Sequence, residues 1–256
     1  MSKKRLITAI SAAIFVTAEI ALGYLLQVTH GDTANLFRFA AILLACAFCF
    51  LIRENTADYY CIQVGMIFTV MADWYLVMSE PRMQQDGMVC FSIVQLAYAV
   101  LLFTGHESRK AAVRHVGARL GLCAVAVCSA FIVLGEGADA LSLISMFYYA
   151  NILMNAVVAF CQIRRSVVFP IALVLFVLCD TCIGLDLMFR QYLGATDVGA
   201  VGFIANLGFD ISWAFYLPSQ MLIPLSLLEK KKTDDSIKEK KYGKIRMESK
   251  NTARYA

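Results

Sequence analysis

Eight runs of apolar residues divide almost the whole sequence: 6–28, 36–52, 59–78, 87–104, 117–134, 140–161, 168–188 and 199–228. An α-helix rises about 1.5 Å per residue, so each run can cross a hydrocarbon core of about 30 Å, the second and fifth only just. Apolar residues make up 60% of the chain and charged residues 16%. Soluble domains are closer to roughly half apolar and a quarter charged. The sequence therefore predicts an all-α polytopic bundle of eight transmembrane helices, in which consecutive helices pack as antiparallel neighbours.

Basic residues fall on one side of this predicted bundle. If the N-terminus is cytoplasmic, 20 of the 23 Lys and Arg residues lie in inner segments, and only Arg38, Arg82 and Arg190 lie on the outer side. Because basic residues are enriched in cytoplasmic segments, both termini are predicted to be cytoplasmic. This predicts a multi-pass integral membrane protein, of the plasma membrane in a bacterium, with a transmembrane domain over 1–228 and a disordered basic cytoplasmic tail over 229–256.

Composition also excludes several classes of function. The basic residues lie in predicted loops and the tail, without interleaved aromatic residues, so no nucleic-acid partner is expected. The nine cysteines fall almost entirely in apolar runs, which favours packing over a disulfide framework. All three histidines are in predicted loops, away from Cys46-x-x-Cys49 and Cys179-x-x-Cys182. We therefore expect no metal and no cofactor.

Five acidic residues interrupt the apolar runs, at Glu19, Asp73, Asp180, Asp186 and Asp210. A charge at the centre of a membrane costs roughly 2.5–3.5 kcal/mol or more, so an acid there faces protein or water and suggests a functional site. Counting from the predicted cytoplasmic ends places four of the acids, all but Asp186, in one layer of the outer half. One alternative pairs Glu19 with Arg38, the nearest basic residue to that layer.

Helical spacing predicts that polar side chains converge near this layer. Residues three, four or seven apart share a face of a helix. The faces are Gly65-Thr69-Asp73, Ser92-Gln95-Tyr98, Tyr148-Asn151-Asn155 and Asn206-Asp210-Trp213-Gln220. Such stripes in transmembrane helices usually face other helices. They predict one polar cavity that opens toward the outer leaflet or the outer surface.

Two carboxyl groups in a dry site favour a protonated acid beside an ionised base. That arrangement suits acid-assisted hydrolysis through an oxocarbenium-like ion, as in glycosidases. It also suits proton- or cation-coupled transport. A third alternative is a non-catalytic protein that binds lipid or a partner. The sequence has no Ser-His-Asp grouping and no phosphate-binding or dinucleotide-binding glycine loop.

Motifs along residues 36–226 resemble those of the YhhN family, the lysoplasmalogenase-type membrane proteins of eight spans. They are Phe37-Arg38, Gly65-Met66-Ile67-Phe68 with Asp73, Gln95-Leu96-Ala97-Tyr98, Tyr149-Ala150 with Met154, Leu175-Phe176 with Asp180-Thr181, and Tyr216 with Gln220-Met221-Leu222-Ile223. The chain departs from the family pattern at Ala72, where a glycine is usual, and at Gln95, where a histidine is usual. Arg38-Phe39 stands for Lys-Pro. The Gln95 change removes a titratable group.

The resemblance implies hydrolysis of the vinyl ether bond of lysoplasmalogens, single-chain ether lysophospholipids, to a fatty aldehyde and a glycerophospho-base. It implies that Asp73 and Asp180 form the catalytic pair. The substrate-binding side chains are predicted from the same motifs and polar faces: Arg38, Gln95, Tyr98, Tyr149, Asn155, Asp210, Tyr216 and Gln220. The two aspartate segments lie four spans apart and resemble each other, which predicts a parallel repeat of four plus four helices.

Overall fold

Helices make up the ordered framework of the computed structural model, which describes residues 3–52, 56–104, 109–164, 166–188 and 209–229. The helices are α1 (Lys3–Val28), α2 (Gly31–Leu51), α3 (Ala57–Asp73), α4 (Gln84–Thr104), α5 (Arg109–Leu134), α6 (Ala140–Cys161), α7 (Val168–Met188) and α8 (Ile211–Glu229). A π-helical turn, Trp74–Met78, continues α3, and a 3-10 turn, Gly135–Gly137, follows α5. The described residues contain no strand. Eight helices are long and apolar enough to cross a membrane, so the predicted all-α bundle of eight spans is confirmed.

Most predicted span limits agree with the helices within a few residues, and the largest difference is in α5. This helix begins at Arg109, whereas the sequence analysis began the fifth span at residue 117. Residues 199–208 of the predicted eighth span and residues 230–256 of the predicted tail lie outside the described residues. Cytoplasmic termini, the tail and the internal repeat stay predictions.

Consecutive helices pack on one another from α1 to α4 and from α5 to α7, as expected, and the exception is the step from α4 to α5. Helix α4 packs mainly on α3 and α6, and α5 packs on α6. Helix α5 lies at the edge of the bundle, where much of its apolar surface is exposed, including Leu120, Val125 and Ile132. Lipid tails are as apolar as these side chains, so little drives α5 inward between α4 and α6.

A group of aromatic rings marks the centre of the bundle. Phe91 of α4 lies 5.7 Å from Tyr148 of α6, 5.8 Å from Phe176 of α7 and 6.4 Å from Tyr216 of α8, measured between ring centroids. Centroid distances of about 4.5–7 Å are those of favourable aromatic pairs. Four helices therefore meet around Phe91, and the acidic residues of the candidate site lie beside this group.

Side-chain hydrogen bonds stabilise both ends of α8. At its beginning, Asp210 accepts a hydrogen bond from the backbone N–H of Trp213 at 3.3 Å, as a helix N-cap does. At its end, the Glu229 carboxylate accepts hydrogen bonds from the Ser166 hydroxyl and from the backbone N–H groups of Val167 and Val168, at 2.5–3.1 Å. An anion at the first turn of α7 is favourable because its N–H groups have no helical partner. These contacts fix the position of α8 along the bundle.

Candidate functional site

Asp73 is the last residue of α3 before the π-helical turn, and its side chain is only 3% exposed. The Tyr216 hydroxyl of α8 donates a hydrogen bond of 2.7 Å to Asp73 Oδ2. The π-helical turn that follows changes the helical register directly after the acid, and such turns are frequent at functional sites. Asp73 thus lies at a helix irregularity in the bundle interior, held by a residue more than 140 positions later in the chain.

Asp180 of α7 has a matching arrangement. It is half-buried, and the Tyr148 hydroxyl of α6 donates a hydrogen bond of 2.5 Å to Asp180 Oδ2. Asp73 and Asp180 lie close enough for their charges to interact. We call these two residues the aspartate pair. The structure brings together the two residues that the sequence predicts as catalytic, and each carboxyl group accepts a tyrosine hydroxyl.

Tyr148 was missed as a site residue, and Tyr149 was chosen in its place. The Tyr149 hydroxyl lies 2.7 Å from the Thr181 hydroxyl, beside the aspartate pair but on Thr181. The signal for Tyr148 was present in the sequence, because it shares a helix face with Asn151 and Asn155. The family motif begins at Tyr149 and therefore does not include Tyr148.

Arg38 and Asp210 form a second group near the beginnings of α2 and α8, on the side of the bundle that the sequence predicts to be the outer one. Arg38 Nη2 lies 2.7 Å from Asp210 Oδ2, and Nη1 donates to Asn35 Oδ1 at 3.0 Å. The guanidinium carbon lies 5.4 Å from the ring centroid of Trp213, a cation–π contact. Gln27 of α1 donates to the Asp210 carbonyl at 3.0 Å and accepts from the Asp210 N–H at 2.8 Å. We call Gln27, Asn35, Arg38, Asp210 and Trp213 the outer polar cluster.

The outer polar cluster adjoins the aspartate pair through aromatic rings. Trp213 and Tyr216 lie one turn apart on α8 with ring centroids 5.0 Å apart, edge to face. Tyr216 in turn binds Asp73. A molecule that contacts Arg38 at the outer surface is therefore separated from the aspartate pair by about two side chains. Gln27, which the sequence analysis did not single out, had no signal beyond being a polar residue at the end of a span.

The predicted single layer of four acids, and the alternative pairing of Glu19 with Arg38, are both wrong. Arg38 forms its salt bridge with Asp210, at the start of α8, whereas the Glu19 carboxyl group is buried at 1% exposure. In the part of the chain that the structure describes, neither Glu19 oxygen has a hydrogen-bond partner. Counting from span ends failed because α8 has its outer end at Ile211, which places Asp210 at the edge of the span.

Gln95 and Asn155 belong to a third group that centres on Arg119. The Asn155 amide donates to the Gln95 carbonyl at 2.8 Å and to Gln95 Oε1 at 2.9 Å. Arg119 donates to Asn155 Oδ1 at 2.6 Å and to Asn151 Oδ1 at 2.9 Å. Arg119 lies within the predicted fifth span but is counted there among the basic residues of the cytoplasmic side. In the structure its side chain joins α5 to α6.

Tyr98 and Gln220 are buried near these groups, at 0% and 1% exposure. The Tyr98 ring packs edge to face on Phe169 at 5.5 Å, and its hydroxyl lies against Gly65. The Tyr98 hydroxyl and both polar atoms of Gln220 have no hydrogen-bond partner among the described residues. All nine cysteines lie in the described residues and none of them forms a disulfide, and the described residues contain no group of three His, Cys, Asp or Glu side chains suited to a metal.

The fold and the site together define an integral membrane protein with multiple spans and a buried pair of aspartates between its helices. The YhhN family model matches residues 33–227, which is most of the chain. The chain belongs to the YhhN family. The match begins in α2 and ends in α8, so it includes both aspartates and both tyrosines that bind them, while Glu19 and Gln27 of α1 precede it. Comparisons with curated proteins and with solved structures gave no match.

Proposed function

We propose that this protein is a membrane-embedded hydrolase that cleaves the vinyl ether bond of lysoplasmalogens. The products are a fatty aldehyde and a glycerophospho-base. The observation that carries the proposal is the aspartate pair, in which Asp73 and Asp180 come from different helices, each accepts a tyrosine hydroxyl, and both tyrosine rings pack on Phe91. Membership of the YhhN family supports the same reaction class.

The reaction begins with a proton transfer to carbon. One aspartate, in its protonated form, gives its proton to the β-carbon of the vinyl ether, which leaves an oxocarbenium ion at the α-carbon. The other aspartate is ionised, stabilises this cation by its charge and accepts a proton from water as the water oxygen bonds to the α-carbon. The product of this step is a hemiacetal, and the two aspartates have exchanged their protonation states.

Collapse of the hemiacetal restores the pair. The first aspartate, now ionised, takes the proton of the hemiacetal hydroxyl, and the second gives its proton to the ether oxygen as the carbon–oxygen bond breaks. One water is consumed, an aldehyde and an alcohol are released, and each aspartate regains its starting proton. Tyr148 and Tyr216 act as positioning residues, because their hydroxyls hold one oxygen of each carboxyl group and leave the other for the substrate.

The outer polar cluster suits the headgroup of a zwitterionic lysolipid. Arg38 is 22% exposed and its buried Nε has no partner among the described residues, so it retains a donor for a phosphate oxygen. Asp210 is 36% exposed and offers a carboxylate to an ammonium group. The single chain would then run inward past Trp213 toward the aspartate pair. Tyr98, Tyr149 and Gln220 orient substrate or water. Gln95 and Asn155, which hydrogen-bond to each other, support the adjoining side of the site.

Aldehyde release from lysoplasmenyl lipid by the purified protein tests the proposal. We expect Asp73→Asn and Asp180→Asn each to reduce kcat about 10²–10⁴-fold, the usual contribution of a general acid or base. Asp186→Asn on the same helix α7 is the matched control and should retain activity. Thermal unfolding in detergent checks that all three variants fold.

Three results would contradict the proposal. Undiminished turnover in both Asn variants would remove the aspartates from the chemistry. Cleavage of an ester lysolipid in preference to the vinyl ether would move the reaction to another class. Ion flux in proteoliposomes that the two Asn variants abolish, with no aldehyde release, would replace the hydrolase with the proton- or cation-coupled transporter.

A further inference from the structure

Six buried side chains have a polar atom without a hydrogen-bond partner among the described residues: Glu19, Thr69, Gln95, Tyr98, Ser219 and Gln220. The arrangement of the helices places four of them, Glu19, Thr69, Tyr98 and Gln220, near the aspartate pair, and each of these four is no more than 1% exposed. Within the described part of the chain, the Glu19 carboxyl oxygens, the Thr69 and Tyr98 hydroxyls and both Gln220 amide atoms make no hydrogen bond. We call these four residues the inner polar group. Buried polar side chains are normally hydrogen-bonded, so this concentration in one part of the bundle requires an explanation.

The register of α1 against α8 places Glu19 beside Gln220. Gly23 packs directly on Leu217, since a Cβ built on Gly23 lies 2.6 Å from Leu217 Cδ2, and Gln27 binds the Asp210 backbone. The two helices run antiparallel through these contacts. One turn before Gly23 is Glu19, and one turn after Leu217 falls at about residue 221, so Glu19 and Gln220 are level.

The position of Gln220 around α8 directs it into the space between α1 and α3. Tyr216, four residues earlier, faces Asp73 of α3, and Leu217, three residues earlier, faces Gly23 of α1. Residues spaced by three and four share a face, so Gln220 lies between these two directions. Thr69 lies one turn before Asp73 on α3. The Glu19–Gln220–Thr69 arrangement therefore lies about one helical turn, roughly 5.4 Å, below the aspartate pair.

Tyr98 closes the inner end of this space. The Tyr98 hydroxyl would lie 2.9 Å from a Cβ at Gly65, and Gly65 lies one turn before Thr69 on α3. The inner polar group therefore runs along α3 from beneath Asp73 to Gly65, with α1 and α8 on one side and α4 on the other.

The mixture of donors and acceptors identifies the ligand as water. A lipid chain would leave every one of these groups unpaired, at a cost comparable to a lost hydrogen bond for each. A metal cation would satisfy the carboxyl, hydroxyl and amide oxygens but would repel the Gln220 amide N–H₂, which only donates. Water both donates and accepts, and buried waters typically bind two to four otherwise unpaired polar groups.

We propose that the inner polar group binds a cluster of water molecules beneath the aspartate pair, and that this cluster supplies the water consumed in hydrolysis. The second half of the statement rests on the proposed function, whereas the first half does not. The lipid then reaches the aspartate pair from the side of the outer polar cluster, and water reaches it from the opposite side. Glu19 and Gln220 are positioning residues for this water.

X-ray radiolytic labelling in ¹⁸O water, read by mass spectrometry, tests the water cluster without any substrate. Bound water gives hydroxyl radicals that modify adjacent side chains. We expect ¹⁸O incorporation at Tyr98 and at Met66, which is fully buried three residues before Thr69. Glu19→Leu and Gln220→Leu should lower this labelling severalfold. Gln63→Leu, a similar change near the other end of α3, should leave it unchanged.

A lack of labelling at Met66 and Tyr98 in the wild-type protein would overturn the water cluster, whatever the enzyme activity. Thermal stabilisation by sodium chloride over choline chloride, lost in Glu19→Gln, would overturn it in favour of a cation site. Glu19→Gln keeps the shape of the side chain, so it serves as the second variant if Glu19→Leu does not fold.

Turnover tests the water supply separately. Gln220→Leu should lower kcat about 10-fold through misplaced water and leave KM for the lysolipid unchanged. Reduced labelling with unchanged kcat would overturn the water supply and keep the cluster. Labelling in a protein that releases no aldehyde would support the cluster and count against the proposed function alone.

Discussion

Two groups of polar side chains contact α8 at different depths, and they are satisfied in opposite ways. In the outer polar cluster, the Asp210 carboxylate, its backbone N–H and its carbonyl all have protein partners. In the inner polar group, about two to three turns deeper, no side-chain polar atom has a partner among the described residues. Both groups contact the same helix, so the difference in their hydrogen bonding comes from the partners that each group faces.

This difference indicates which of the two groups stabilises the fold. Asp210 of the outer polar cluster has protein partners for its carboxylate, N–H and carbonyl, so the cluster joins α1, α2 and α8 and contributes to stability. The side chains of the inner polar group make no such stabilising hydrogen bonds among the described residues. A buried polar atom without a partner costs free energy instead. Removing an outer residue should therefore destabilise the fold, and removing an inner residue should impair function at little cost to stability.

The largest effect on stability is expected from Asp210→Ala. The change removes the N-cap of α8, worth about 1 kcal/mol, and leaves Arg38 without its carboxylate. Because Asp210 and Arg38 are partly exposed, we expect only about 1 kcal/mol more from the lost pair. Unfolding in detergent measures the sum, about 2 kcal/mol.

Two companion variants sharpen this comparison. Asp210→Asn keeps the cap and loses the charge, so about half of the destabilisation should remain. Glu19→Gln removes a carboxyl group that has no protein partner, so its unfolding free energy should match the wild type. A Glu19→Gln variant less stable than Asp210→Asn would contradict the division into structural and binding groups.

Gly65→Ala, beside Tyr98 of the inner polar group, should have the next largest effect on stability. A Cβ at Gly65 would lie 2.4 Å from Tyr98 Cε1, closer than atoms pack, so the ring must move into the space of the inner polar group. Such overpacking typically costs about 1–3 kcal/mol. Both unfolding free energy and turnover should fall. Gly121→Ala in α5 is the matched control, because a Cβ there meets nothing within 4 Å.

Tyr216→Phe is expected to have a smaller effect that is confined to catalysis. The change removes the 2.7 Å hydrogen bond to Asp73 and keeps the ring against Phe91 and Phe176. A hydrogen bond of this kind contributes about 1 kcal/mol, which corresponds to roughly a fivefold loss in kcat for aldehyde release. Tyr24→Phe, on an exposed face of α1, is the control. An equal loss in both variants would show that Tyr216 has no special role.

The sequence alone predicts the helices well because hydropathy over about 20 residues is a strong signal. The resemblance of its motifs to the YhhN family also predicts the partnership of Asp73 and Asp180. The sequence does not predict Arg38 with Asp210 or the depth of Glu19, because those depend on how α1, α2 and α8 are shifted along one another. Contacts such as Gly23 with Leu217 set that shift, and no local pattern encodes them.

Arg119 shows a second limit of the sequence. Its neighbours Arg109, Lys110 and Arg114 are typical of a cytoplasmic loop, and this charge pattern shortened the predicted fifth span. In the structure, α5 includes all of them, and Arg119 reaches Asn151 and Asn155. A basic residue near a helix end can extend into the bundle when a neighbouring helix presents amide oxygens, and only the packing of α5 on α6 reveals that.

The smallest effect is expected at Asp139, the exposed N-cap of α6. The Ser142 hydroxyl and the Ser142 backbone N–H both donate to Asp139, and these hydrogen bonds lower the pKa of its carboxyl group below the usual 3.8. A lowered folded pKa stabilises the fold above the usual value, and that stabilisation is lost as the pH falls through the folded pKa.

The thermal midpoint of the wild type relative to Asp139→Asn should therefore be constant from pH 7 to about pH 5 and fall in more acidic solution. Because Asn caps a helix about as well as Asp, the variant isolates the charge from the cap. A pH dependence of Asp139 in the opposite direction would mean that the Ser142 contacts do not stabilise the ionised form.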